Sequence, residues 1–195
     1  MAPYDEIVFY AHLSKGLSPE EVTQLYSLAA TRTLRAGDIY IEKGALFQKL
    51  AFINEGLIRA YHVKDNGEEI TLVLRWEQQF LASFDGIVHQ QASRFIYQAV
   101  EDTTLMEVDY KAIQSIIDNN PRMSSMRNQL LMRIISQALD RLESFVLLSP
   151  EERYLKLLNE KPGLFNRVPI KYISTLLGVT PVSLSRIRKR ISRCR

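Results

Sequence analysis

Residues 168–192 read VPIKYISTLLGVTPVSLSRIRKRIS, and the order of residue types predicts two short helices meeting at a tight corner. Pro169 to Leu177 carries Ile173, Leu176 and Leu177 at helical spacing, and Gly178 can close that helix in the left-handed conformation. Thr180-Pro181 then offers a capping hydroxyl and a proline at the first position of a second helix. In such a corner Ile173, Leu177, Val179, Leu184 and Ile187 can bury against one another. The opposite face of the second helix is left to Val182, Ser183, Arg186, Lys189 and Arg190. An exposed basic second helix is the geometry of a helix-turn-helix, whose second helix enters a DNA major groove N-terminus first. Arg186 can then make the bidentate contact to guanine, Ser183 can donate or accept, and Val182 can touch a thymine methyl. Lys171, Thr180, Ser185, Arg188 and Lys189 suit phosphates, which position a protein without reading sequence.

The charge map agrees. All 22 acidic residues of the 195 lie at or before Glu160, and residues 1–165 carry a net −5; residues 166–195 hold 8 of the 25 Lys and Arg and no acid. A basic module follows an acidic one. Charge alone leaves open a solvated tail or a polyanion partner. A second reading is a small-molecule-binding or scaffold protein whose basic tail contacts RNA, another polyanion or a membrane surface. That reading needs a basic helix with exposed bulky apolar residues, whereas Leu184, Ile187 and Ile191 have a helix immediately upstream to pack on.

Other chemistry is sparse. With Cys194 the single cysteine, an intramolecular disulfide, a CxxC redox pair and a cysteine-held iron–sulfur cluster are excluded. His12, His62 and His89 lack metal-ligand spacing, so no metal site is expected, and neither His62 nor His89 is singled out as a haem ligand. There is no GxSxG, no paired carboxylates on one face and no phosphate-cradling loop, so the chain does not read as an enzyme. Met1 to Tyr10 is too acidic for a signal peptide and no apolar run approaches the ~18 residues of a membrane span. A cytoplasmic protein without a membrane partner is expected.

Upstream of the basic end the periodicity changes twice. Residues 3–30 read as helix in two pieces, the second opened by Ser18-Pro19-Glu20-Glu21 with Val22, Leu25 and Leu28 behind it. From Thr31 to Asp109 short runs alternate with period two between turn signals such as Asp65-Asn66-Gly67, without helical patterns among them. That favours an antiparallel barrel, roll or sandwich. Lys111 to Asn119 reads as a short helix, and Asn120-Pro121 opens a long one to about Leu148, in which Leu131, Ile135, Ala138, Leu142 and Phe145 repeat at coiled-coil spacing. Such a stripe fits either a doubly buried core helix or a dimer seam. Ser149-Pro150-Glu151-Glu152 starts a further helix, and residues 160–167 read as a loop.

The C-terminal segment, with its LGVT and LSRI-x-K elements, resembles the winged helix-turn-helix of the cyclic-AMP receptor protein/Fnr superfamily of bacterial transcription regulators. GDIYIEKG and FINEGLIRAYHV extend the resemblance over nearly the whole chain. It implies an α+β fold: an antiparallel, jelly-roll-type β-roll with flanking helices over residues 1–120, a dimerisation helix over 121–148 and a DNA-binding domain over 149–195. It further implies a homodimer on a near-palindromic double-stranded DNA operator, recognition helices about 34 Å apart, and RNA polymerase as a further partner, with the Glu160 to Asn166 loop facing it and activation the expected sign. Any wing has to come from the loop before Pro169. In relatives that bind cyclic nucleotides a glycine and a glutamate meet the ribose and an Arg-Ser pair meets the phosphate. Here the corresponding positions hold Ala82, Ser83, Ala92 and Ser93, and Arg94 is one residue late; Ala138 and Leu139 stand where the long helix would offer hydroxyls. Cyclic AMP is therefore not expected as the effector. Arg59, Ser83, His89, Ser93 and Gln98 are candidates to line a pocket for another small molecule of unknown identity; the alternative is a cavity filled by Phe84, Phe95 and Tyr97.

Overall fold

Ser18 opens helix α1 (Pro19–Ser27) with a reciprocal cap. Its hydroxyl accepts the Glu21 N–H at 3.3 Å while the Glu21 carboxylate accepts the Ser18 N–H at 2.6 Å, which satisfies two donors that a helix start leaves free. The computed structural model describes residues 18–193; the first helical piece expected after residue 3, His12 and Cys194 lie outside the described residues. α1 stops short of the helix expected to residue 30, because Ala30 already belongs to strand β1 (Ala30–Leu34). β1 pairs with β8 along its full length from Ala30↔Glu107 to Leu34↔Thr103, and this pairing outweighs the helix preference of Ala29-Ala30.

The strands follow as β2 (Ile39–Ile41), β3 (Lys49–Glu55), β4 (Leu57–Val63), β5 (Glu69–Trp76), β6 (Phe80–Ala82), β7 (Ile96–Ala99) and β8 (Thr103–Asp109). They form two four-stranded sheets, in the orders β1-β8-β3-β6 and β2-β7-β4-β5. The expected antiparallel roll is therefore present, with one addition. Between β6 and β7 lies a one-turn helix, α2 (Phe84–Val88), capped by the Ser83 hydroxyl on the Gly86 N–H. Five residues are too few to show helical periodicity, and the capping serine was the available signal. Four helices end the described chain after α3 (Tyr110–Asp118) and the long α4 (Pro121–Leu147): α5 (Pro150–Glu160), α6 (Leu164–Arg167), α7 (Ile170–Leu176) and α8 (Pro181–Arg193). α6 occupies the stretch expected to be loop, again a single turn without a periodic pattern. Among the described residues no helix is long and apolar enough to cross a membrane.

The chain divides into two compact units, Met1–Ala60 with Leu74–Met132, and Tyr61–Val73 with Arg133–Arg195. In the first, Leu25, Phe52, Met106, Ile113, Ile117 and Met123 form a buried cluster, and Phe52 meets Phe80 edge to face at 5.2 Å. Each such large side chain contributes about 1.5–3 kcal/mol by leaving water. Asp109 caps α3 by accepting from the Lys111 and Ala112 N–H groups, and Asn120 caps α4 by accepting from Arg122 and Met123. In the second unit Ser149 and Glu152 repeat the reciprocal cap at the start of α5. Ser149→Ala should cost about 1 kcal/mol, read as a lower denaturation midpoint at unchanged slope.

Candidate nucleic-acid interface and cassette

The α7–α8 corner is built around Gly178. Its φ is +71°, its N–H donates to the Thr175 carbonyl at 3.0 Å, and the Val179 N–H returns to Ser174 at 2.9 Å. These bonds end α7 as a left-handed cap. A side chain at this position would be strained, and a Cβ here would also sit 2.8 Å from Cε1 of Phe145. Two arginines finish the corner by donating to the last carbonyls of α7: Arg141 to Leu176 at 3.1 Å and Arg153 to Leu177 at 3.1 Å. Both guanidinium groups also lie over the Phe145 ring, at 5.4 and 4.8 Å from its centroid. Thr180 starts α8, its Oγ1 accepting the Ser183 N–H at 3.2 Å and meeting the Ser183 hydroxyl at 2.9 Å.

Ile173, Leu177, Leu184 and Ile187 are buried in this corner, as the spacing requires, with Val179 half-buried. Val182, Ser185, Arg186 and Lys189 are exposed and fall within an arc of about 100° on α8. Arg188 lies to one side of that arc, Ser183 and Arg190 to the other. Lys171, also exposed, holds its ammonium 4.8 Å from the Tyr172 ring centroid. Beside α8 runs a groove of about 360 Å³ lined by Ser149, Pro150, Glu151, Val179, Ser183, Arg186, Ile187 and Arg190. Across it Arg190 pairs with the Glu151 carboxylate. Arg190 is thus tied to the start of α5 rather than projecting with Arg186 and Lys189. Sequence reading missed Glu151, which had registered only as an acid in a helix start.

On α4 the residues expected to form a seam differ from one another. Met132, Ile135, Leu139, Leu142 and Val146 repeat at 3, 4, 3 and 4 and are 51–72% exposed, while Leu131 and Phe145 are 41% and 40% exposed. Ala138 is exposed beside them. Phe145 is partly engaged by the α7–α8 corner, so the most exposed apolar stripe runs one residue over from the expected one at Met132, Leu139 and Val146.

The cassette residues lie in different surroundings. Ser83 is buried as the cap of α2, and Ser93 is buried with its hydroxyl donating to the Phe95 carbonyl at 2.8 Å, whereas His89 and Ala92 are exposed. Ala82 gives its carbonyl to the Tyr97 hydroxyl at 3.3 Å. Arg94 is exposed and reaches back to Asp85: the carboxylate accepts from the Arg94 N–H at 2.9 Å, from Nε at 3.0 Å and lies 2.9 Å from Nη2. Hydrogen bonding from Arg94 holds the Asp85 carboxyl below the usual carboxylate range, so the pair supports this loop at neutral pH and fades as pH falls through that lowered pKa. Arg59 is fully buried but donates Nε and Nη2 to Gln98 at 3.0 and 2.7 Å. Gln98 follows Tyr97 in β7, so by strand alternation Arg59 sits on the face opposite the Tyr97 ring. Among the described residues no group of three or more His, Cys, Asp or Glu could hold a metal ion.

Residues 31–120 match the family of the cyclic nucleotide-binding domain. In sequence, no curated protein is significantly similar to the chain. Similar solved structures include FixK2 from Bradyrhizobium japonicum, at TM-score 0.73 and 14% identity over 85% of each chain. The c-di-GMP-responsive global regulator CLP of Xanthomonas campestris matches at 0.72 and 13%, covering 90% of this chain and 92% of its own. A protein from Eubacterium rectale described as a transcriptional regulator of the Crp/Fnr family matches at 0.70 and 19%, over 92% and 86%. At these identities the likeness is one of fold.

Proposed function

From a chain whose residues 31–120 form a cyclic nucleotide-binding domain and whose fold is that of the Crp/Fnr transcription regulators, we infer a homodimeric, sequence-specific DNA-binding regulator that does not respond to cyclic AMP. The observation that carries this reading is the exposed arc of Val182, Ser185, Arg186 and Lys189 on a helix whose other side is locked into the α7–α8 corner. Residues 149–195 read DNA, 121–148 join two copies, and 1–120 sense a signal or support assembly. Arg186 meets a guanine and Val182 a thymine methyl, while Lys189, Ser185, Arg188, Thr180 and Lys171 lie toward phosphates. RNA polymerase is a further partner, and of the two possible signs the family resemblance leans towards activation.

Independence from cyclic AMP rests on charge. A cyclic phosphate entering the roll needs a cation at the cassette, and Ala92 supplies none while Arg94 is exposed and committed to Asp85. An unpaired phosphate in a closed site is strongly unfavourable. Selection of bound duplexes from a random pool, with and without cyclic AMP, should return one two-fold-symmetric motif in both cases. Recovery only with the nucleotide overturns the independence; no motif at all, with retention of random DNA at low salt, returns the basic end to a generic polyanion surface.

Within a recovered site, Arg186→Ala should weaken binding by about 1–3 kcal/mol and relax preference at one base per half-site. Lys189→Ala should weaken all sequences alike and flatten the salt slope by about one. Fluorescence anisotropy on matched and single-base-changed duplexes separates the two, and equal behaviour would remove Arg186 from the base-reading role.

A further inference from the structure

We propose that Glu151 is a brake on DNA affinity: by pairing with Arg190 across the groove beside α8, it withholds one cation from the phosphate backbone. This rests on the reading of α8 as the DNA-contacting helix, and it names a residue that sets how tightly that helix holds any duplex. Arg190 follows Arg186 by one turn of α8, and both line the same groove with the start of α5. With Arg186 at a base edge, a cation one turn toward the C-terminus stands at the level of the backbone phosphates, because α8 enters the groove N-terminus first. Glu151 holds that cation back.

The role falls to this acid in particular. Within residues 149–195 the acids are Glu151, Glu152 and Glu160. Glu152 is committed to the cap of α5, its carboxylate accepting the Ser149 N–H at 2.7 Å, and Glu160 stands at the other end of α5, about 13 Å along the helix axis. Nor is the pair a support of the fold. Its side chains are 62% exposed at Arg190 and 34% at Glu151, and an ion pair so open to water adds little to stability. Its consequence lies outside the chain: it neutralises Arg190 and sets a carboxylate beside the face that phosphates approach. A phosphate contact strengthens every sequence alike and is read in the salt dependence of binding. Glu151 therefore lowers the affinity for all duplexes and leaves the base preference at Arg186 as it is.

The test is the affinity of the full-length protein for a random-sequence duplex, measured by fluorescence anisotropy over about 50–300 mM salt. The variants are Glu151→Gln, Arg190→Ala, the two together, and Glu160→Gln, which removes the same charge at the far end of α5. Glu151→Gln should bind about 5–10-fold more tightly at about 0.1 M salt, with the slope of log affinity against log salt steeper by about one. Arg190→Ala alone should leave that slope where it is, since the cation is not on a phosphate, and combined with Glu151→Gln it should abolish the gain. Glu160→Gln should leave the slope unchanged. A weakened start of α5 in Glu151→Gln would loosen binding, so a tighter complex does not arise from altered folding. The proposal is overturned if Glu151→Gln fails to steepen the slope, if Glu160→Gln steepens it equally, or if Arg190→Ala alone flattens it as Lys189→Ala should. Those results, with the parent binding duplex, sink the brake alone; a parent that retains no duplex even at low salt sinks the regulator reading and the brake with it.

Discussion

A Leu142→Glu variant is expected to sediment as a monomer at concentrations where the parent chain is a dimer, with its dimer dissociation constant raised at least about 100-fold. Leu142 belongs to the exposed stripe from Met132 to Val146. In a two-fold seam each substitution is present twice, so two carboxylates would be brought together in an apolar contact with no cation between them. Operator affinity should fall with the dimer, because two linked half-site contacts gain about 10²–10⁴ in avidity that two separate ones do not. Gln137→Glu, exposed on the opposite side of α4, is the matched control and should leave the mass unchanged. An unchanged mass for Leu142→Glu would place the seam elsewhere.

The second large effect is at the corner. Gly178→Ala should destabilise the C-terminal unit by about 2–4 kcal/mol, combining left-handed strain of about 1–2 kcal/mol with overpacking against Phe145. Chemical denaturation followed by far-ultraviolet circular dichroism measures it. The two contributions separate in a double-mutant cycle with Phe145→Leu: relieving the ring contact should recover the packing part and leave the backbone part. Full additivity of the two substitutions would show that the Gly178–Phe145 approach has no energetic consequence. DNA affinity in Gly178→Ala should fall more than folding stability alone explains, since the corner sets the direction in which Arg186 and Lys189 project.

How much of this was legible beforehand depends on the range of the interaction. The caps at Ser18 and Ser149, the left-handed turn at Gly178 and the start of α4 at Asn120-Pro121 are decided within four residues of chain, and each is where the residue types place it. Single-turn elements escaped, because α2 and α6 are shorter than the repeat by which a helix announces itself. The end of α1 escaped for another reason: whether Ala30 continues a helix or begins a strand is settled by β8, more than 70 residues away. The candidate site divides in the same way. The basic, one-sided α8 follows from spacing, but the pairing of Arg190 with Glu151 depends on α5 meeting α8.

The antiparallel strand region, the long helix and the helix-turn-helix corner are written in the chain, since periodicity, capping and turn chemistry are properties of neighbours along it. Which charges are compensated is settled across the fold. Arg59, Arg75 and Arg94 are alike in sequence as cations in or beside strands; folded, Arg59 is buried on Gln98, Arg94 is exposed and held by Asp85, and Arg75 is half-buried and reaches only the carbonyl of its own neighbour Leu74. The same holds on α4, where Phe145 shares the coiled-coil spacing of Leu142 and yet packs on Gly178. Desolvation and pairing depend on what lies across the fold, and no local pattern encodes that.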